Sequence, residues 1–264
     1  MKLCFRRAYT FVVVAALLLP VSVPIFAVLV QMPRDRASFA ILLAQPVPAV
    51  ALRTASTSVV VTLISLPISL MIAILIRLAH GWLRITGLAA CTAPASMNVL
   101  VTIISWLVIF ERNGVVGSGM RILGCSDSLP PLLYRPEAGI VVLVYSVVPI
   151  MVLINYWGLS RVSPRLSETA VLLGARRVHV YSLELVSAIR PIALSGTVSF
   201  VSVVNLYLIP EFLSGPSAGQ LGYLVQQKIL TSYDPGSATV LSLLLLLISA
   251  IPVGLMLLIE KRMG

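Results

Sequence analysis

Six stretches of this chain, at 9–30, 55–76, 91–110, 139–157, 192–213 and 237–259, are each apolar over about the 20 residues that a helix needs to cross the hydrocarbon of a bilayer. Few other folds can use such runs, because in lipid each backbone polar group must be satisfied within its own segment. Composition points the same way. Of 264 residues, 59% are hydrophobic and 11% charged, and the mean hydropathy is +1.04. That leaves too little polar surface to cover a soluble core. The expected fold is an all-α membrane protein with six transmembrane helices.

Six spans put both termini on one side. Lys2, Arg6, Arg7, Arg77, Arg84, Arg161, Arg165, Arg176, Arg177, Arg190, Lys261 and Arg262 fall on one face, and Arg34, Arg36, Arg53, Arg112, Arg121, Arg135 and Lys228 on the other. Lys and Arg accumulate on the cytoplasmic side of short loops, so the first face, with both termini, reads as cytoplasmic. The net charge of +10 does not signal nucleic acid, because the cations are scattered through loops without an aromatic-interleaved stripe. Anionic lipid headgroups are the expected counterpart.

The N-terminal run after Arg7 is longer than the apolar core of a secretory signal and no small-x-small site ends it cleanly, so it reads as a retained first span. Cys4, Cys91 and Cys125 show no metal-ligand spacing, and Cys125 alone falls on the outer side, so no disulfide is expected. No phosphate-binding Gly-x-x-x-x-Gly-Lys-Ser/Thr loop and no nucleophile, base or metal cluster occurs. His80 and His179 stand alone. The chain is expected to be neither an enzyme nor a cofactor carrier.

Pro20, Pro24, Pro67, Pro94 and Pro149 fall inside spans, where each removes a backbone donor and kinks a helix. Such kinks suit helices splayed around a pathway, although proline is also simply commoner in membrane helices. No Asp, Glu, Lys or Arg lies near a span centre, which argues against an ion-coupled pump. In the fifth span Ser195, Ser199, Ser202 and Asn205 recur on one helical side. They suit either a polar solute's path or close helix packing, and Asn98 and Asn155 invite the same two readings. Glu211, beside Pro210, either attracts a cation at the outer mouth or pins a loop.

Between spans four and five, charged residues alternate with Leu166, Val171, Leu172, Val178, Val180, Leu183 and Leu185, the pattern of two short amphipathic helices. Ser163 or Ser167 can cap the first, and Gly174 supplies a turn or close approach. The apolar face of such a pair needs lipid headgroups or a partner protein.

Glu168, Gly174, Pro191 and Gly196 follow one another at steps of six, seventeen and five residues. With Leu166-Ser167-Glu168-Thr169-Ala170, Leu173-Gly174-Ala175, Tyr181, Arg190 and Phe200, they resemble the cytoplasmic EAA loop of binding-protein-dependent ABC importer permeases. Thr169 stands where that family usually has Ala, Arg177 and Ser187 where Pro is frequent, and Glu184 where an apolar residue is usual. Leu129 to Glu137, and Leu208 to Pro216, look like the corresponding segments of spermidine/putrescine permeases.

The resemblance implies a type I ABC importer permease fold in one domain over 1–264, with a core at about 53–259, a peripheral first helix at 9–30 and the coupling loop at about 159–189. It implies that Glu168, Ala170, Leu173, Gly174, Ala175, Arg176 and Tyr181 dock on a cytoplasmic ABC ATPase dimer. The further partners implied are a second permease subunit, a paralogue by this resemblance, and a periplasmic or extracellular solute-binding protein. The group carries polyamines, and also opines, ferric iron and phosphonates. The expected setting is the bacterial inner membrane. A membrane scaffold or ATP-independent carrier, its loop resting on lipid, is the other reading.

Overall fold

Proline starts three of the long helices, where a missing backbone N–H costs nothing. Pro48 lies in the first turn of α1 (Val47–Leu78), Pro136 opens α5 (Pro136–Ser160) and Pro235 opens α9 (Pro235–Met263). The computed structural model describes residues 46–111, 114–122, 133–162, 185–215 and 219–263. The remaining described helices are α2 (Trp82–Ala95), α3 (Val99–Phe110), α4 (Val115–Ile122), α6 (Ile189–Asn205), α7 (Leu208–Ser214) and α8 (Leu221–Leu230). No strand occurs among the described residues.

Among the described residues, four runs are long and apolar enough to cross a membrane: Val47–Leu78, Val99–Gly119, Pro136–Ser160 and Pro235–Leu258. A fifth span results if α6 and α7, bent by 61° at their junction, count as one. The expected first span at 9–30 lies outside the described residues.

Two expected spans change shape. The run at 91–110 is not one helix: Cys91 to Ala95 belong to α2, and a new helix starts at Val99. Pro94 therefore sits in the last turn of α2 instead of kinking a span. Asn98 is extended and its side chain accepts a hydrogen bond from the Leu100 amide at 2.9 Å, capping α3. The run at 192–213 breaks at Leu206 and Tyr207. Pro210 is the cause, since its ring would meet the Leu206 carbonyl four residues back and it has no N–H to donate there. The span expected at 55–76 is also longer, beginning at Val47.

α5 is the central packing element, lying against α1, α2, α6 and α7. α1 packs on both α5 and α6. Its buried side is made of small residues, Thr54, Ser58, Ser65, Ser69 and Ala73, punctuated by Val61 and Ile76. Small residues let membrane helices approach closely, because lipid provides no hydrophobic drive between them. Three hydroxyls of α1 hydrogen-bond across the interfaces. Thr54 Oγ1 accepts from the Leu221 amide of α8 at 2.9 Å, Thr62 and Ser199 hydroxyls lie 3.3 Å apart, and Asn155 Nδ2 donates to Ser69 Oγ at 3.0 Å. Farther along, Leu143, Val142, Val147 and Met151 of α5 form a closed apolar core with Val61, Ile103, Val203, Ile209 and Leu213. The large side chains on the outer surface are apolar too, among them Leu63, Met71 and Leu75 of α1 and Leu247, Ile251, Leu255 and Leu258 of α9. Only lipid or another membrane subunit can cover such a surface.

One end carries a belt of cations and aromatics. Arg84 Nε donates to the Tyr156 hydroxyl at 2.5 Å, and the Arg161 guanidinium lies 3.5 Å from the centre of the Trp157 ring. Amphipathic aromatic rings are enriched at membrane–water interfaces. Asp234 caps α9, with its carboxylate accepting from the Ser237 amide at 3.1 Å and hydroxyl at 2.5 Å. These bonds hold its carboxyl below the ordinary value. A carboxyl depressed on folding stabilises the fold above its unfolded pKa, and that stabilisation is lost as pH falls through the folded value. Asp234→Asn is therefore expected to flatten the acid limb of unfolding in detergent. An unchanged acid limb would refute the cap's contribution.

Candidate functional site

The two helix breaks face each other. The α2–α3 break contributes Pro94, Ala95, Met97, Val99 and Thr102, and the α6–α7 break contributes Ser202, Asn205 and Leu206. With Tyr145, Ser146, Val147 and Ile150 of α5 they enclose a cavity of about 280 Å³. Unwound backbone deep in a membrane protein is tolerated only where it is buried in protein or lines a cavity. Both breaks meet that condition here.

Each polar group has a local reason for its place. Thr102 Oγ1 donates to the Asn98 carbonyl at 3.2 Å, and Ser146 Oγ donates to the Val142 carbonyl at 2.8 Å. Their hydroxyl oxygens keep acceptor capacity. Asn205 Nδ2 donates back to the Val201 carbonyl at 2.7 Å in the last turn of α6. Tyr145 meets the Trp106 ring edge-on at 5.3 Å between centres, and Trp106 in turn meets Phe110 at 5.0 Å, so an aromatic shelf backs the cavity.

Charge is absent from the lining among the described residues. Polarity instead comes from hydroxyls, an amide and two helix ends. The start of α3 offers amide N–H groups and the end of α6 offers carbonyls. Asn205 also borders a second cavity of about 490 Å³ between α6, α8 and α9, whose polar lining includes Tyr207, Gln226 and Ser242.

The structure divides the polar residues singled out from the sequence. Ser202 and Asn205 line the first cavity, and Asn98 sits in the break between the lining residues Met97 and Val99. Ser199 and Asn155 lie instead in helix contacts, Ser199 against Thr62 and the fully buried Asn155 against Ser69. Glu211 is half-buried in the first turn of α7 and lines neither cavity. Glu168, Ala170, Leu173, Gly174, Ala175, Arg176 and Tyr181 lie outside the described residues. Thr102, Tyr145 and Ser146 are cavity residues that the sequence analysis missed. The available signal was Thr102 one helical turn after Asn98.

The chain shares its fold with chains of solved bacterial ABC transporters. A bacterial ABC transporter involved in import of the acidic polysaccharide alginate superposes with a TM-score of 0.75 at 16% identity, over 95% of this chain and 95% of that one. The inward-facing MetNI methionine transporter superposes with a TM-score of 0.65 at 18% identity, over 84% of this chain and 99% of that one.

In sequence, the chain is similar to the spermidine/putrescine permease PotB. It is 26% identical to the protein of Salmonella typhimurium strain LT2 over 176 residues, 64% of this chain and 58% of that one. Against the Escherichia coli K12 protein the figures are 25% over 172 residues, 64% and 60%. The match thus spans less than two thirds of these relatives' length. No family model matches the sequence.

Proposed function

We propose that this chain is the transmembrane permease subunit of an ABC importer that moves a small polar solute, a polyamine such as spermidine or putrescine, across a bacterial inner membrane. One observation carries the proposal: the cavity formed where two broken spans meet in an importer-permease fold. Half-helix ends and unwound backbone at membrane depth are how transporters bind solutes without placing fixed charge in lipid. For a polyamine, the carbonyl end of α6, the oxygens of Ser202, Thr102 and Asn205, and the face of Tyr145 offer acceptors and a cation–π surface. Similarity to PotB supports that class of solute. The charge-free lining favours a second reading, an opine or other small polar solute.

In this proposal ATP is hydrolysed by a separate ATPase dimer that docks on the segment containing Glu168, Ala170, Leu173, Gly174, Ala175, Arg176 and Tyr181. A second permease subunit, paralogous to this chain, completes the pathway, and an external binding protein delivers the solute. The cation-rich end, with both termini, faces the cytoplasm. Transport is then a population shift between inward-open and outward-open states, driven by ATP at one face and loaded binding protein at the other.

The test is uptake of labelled spermidine by cells with and without the chain, with excess unlabelled putrescine or opine as competitor. Uptake that is unaffected by deleting the chain overturns the polyamine reading. At the cavity, Asn205→Leu removes an amide that contacts the solute. A hydrogen bond left unmade in a desolvated site costs about 1–3 kcal/mol. Uptake is therefore expected to drop about tenfold or more, with the ATPase still co-purifying.

A further inference from the structure

Gly158 is buried in the last turn of α5. A Cβ placed there would lie 2.2 Å from Cβ and 2.3 Å from Cγ of Pro191, near the start of α6. The proline ring occupies the space that any side chain at 158 would need. On one side Leu159, Ala188 and Ile192 share one buried cluster with Ala73, Ile76 and Val152, and on the other Gly158 and Pro191 border a cavity of about 600 Å³. The chain between Val162 and Leu185 leaves and returns within about two helical turns of this contact.

We infer that Gly158 and Pro191 form a rigid joint that makes α5 and α6 move as one body. The inference rests on the reading of 163–184 as the segment that receives work from the ATPase. A displacement applied to a segment hung from two loosely related helix ends is absorbed by their sliding. Hung from one joint, it turns both helices. The contact has little softness to absorb motion, since glycine has no side chain to rotate, the proline ring is fixed, and packed groups at contact distance resist compression. Gly158 is a positioning residue that acts through Pro191.

The test uses the full chain in complex with its ATPase in proteoliposomes. Spin labels are placed through cysteines at Ser160 and Val186, both exposed, with Cys4, Cys91 and Cys125 replaced by Ala. The distance distribution is expected to be single, narrow and the same in nucleotide-free and ATP-vanadate-trapped states. Gly158→Ala should broaden or shift it and cut spermidine uptake roughly tenfold, the scale of overpacking a tight contact, while the ATPase still co-purifies. Pro191→Gly in the same chain should restore both readouts. Pro191→Ala should restore neither, because it retains the Cβ that clashes. A wild-type distance that changes with nucleotide, an unaltered Gly158→Ala chain, or equal rescue by both Pro191 variants overturns the joint. If the wild type takes up no spermidine, or no ATPase co-purifies, the functional reading fails, and the distances still decide the joint.

Discussion

Replacing Gly174 with Leu, or Glu168 with Lys, is expected to reduce ATP-driven uptake to background and to release the ATPase, while membrane insertion stays normal. The effect should be large because, in the proposed function, both changes strike the segment through which ATP energy reaches a chain whose sequence holds no phosphate-binding loop. A bulky residue at Gly174 removes whatever backbone freedom or close approach glycine permits there. Charge reversal at Glu168 puts a like charge, or an unpaired one, into a docking surface, where charge complementarity governs partner choice. Loss of coupling leaves transport without a driving force, so a drop of at least about a hundredfold is expected, with nothing recovered at high substrate. The measurement pairs labelled spermidine uptake with co-purification of the ATPase, and protease accessibility reports insertion. Retained uptake in both variants would sink the assignment of 163–184 as the coupling segment.

Leu143→Ala is expected to give the largest loss of stability among single substitutions in the described core. Leu143 is fully buried in the apolar cluster that also holds Val61, Ile103, Val203, Ile209 and Leu213. Within lipid, such a residue stabilises through packing more than through escape from water, so the void left behind dominates the cost. Buried Leu→Ala changes cost about 2–5 kcal/mol. In detergent this should appear as an apparent unfolding midpoint several degrees lower, with Leu143→Met close to wild type because volume is conserved. Equal midpoints for the Ala and Met variants would show that the site collapses without penalty.

Several parts of the fold were legible in local sequence. Spans at 139–157 and 237–259 fall inside α5 and α9, because mean apolarity over about 20 residues suffices to demand a crossing helix. The breaks were harder to read. Asn98 and Pro94 sit in a uniformly greasy stretch, and hydropathy averages over the cap that ends one helix and starts another. Pro210 was visible, but its effect falls four residues earlier, at Leu206, where nothing in the side chain marks it.

By itself the sequence determined that this is a multi-pass helical membrane chain with a charged segment between its fourth and fifth apolar stretches. Those properties depend only on local composition and on the cost of bare backbone in lipid. Only the tertiary structure decided what each polar residue does. Ser199 and Ser202 lie one turn apart on one helix with the same hydroxyl, yet one meets Thr62 of α1 and the other borders a cavity. Asn155 and Asn205 part in the same way, Asn155 against Ser69 and Asn205 at a broken helix end. A polar group in an apolar helix must find a partner, and whether that partner is a neighbouring helix or a solute is set by what the packing brings opposite it.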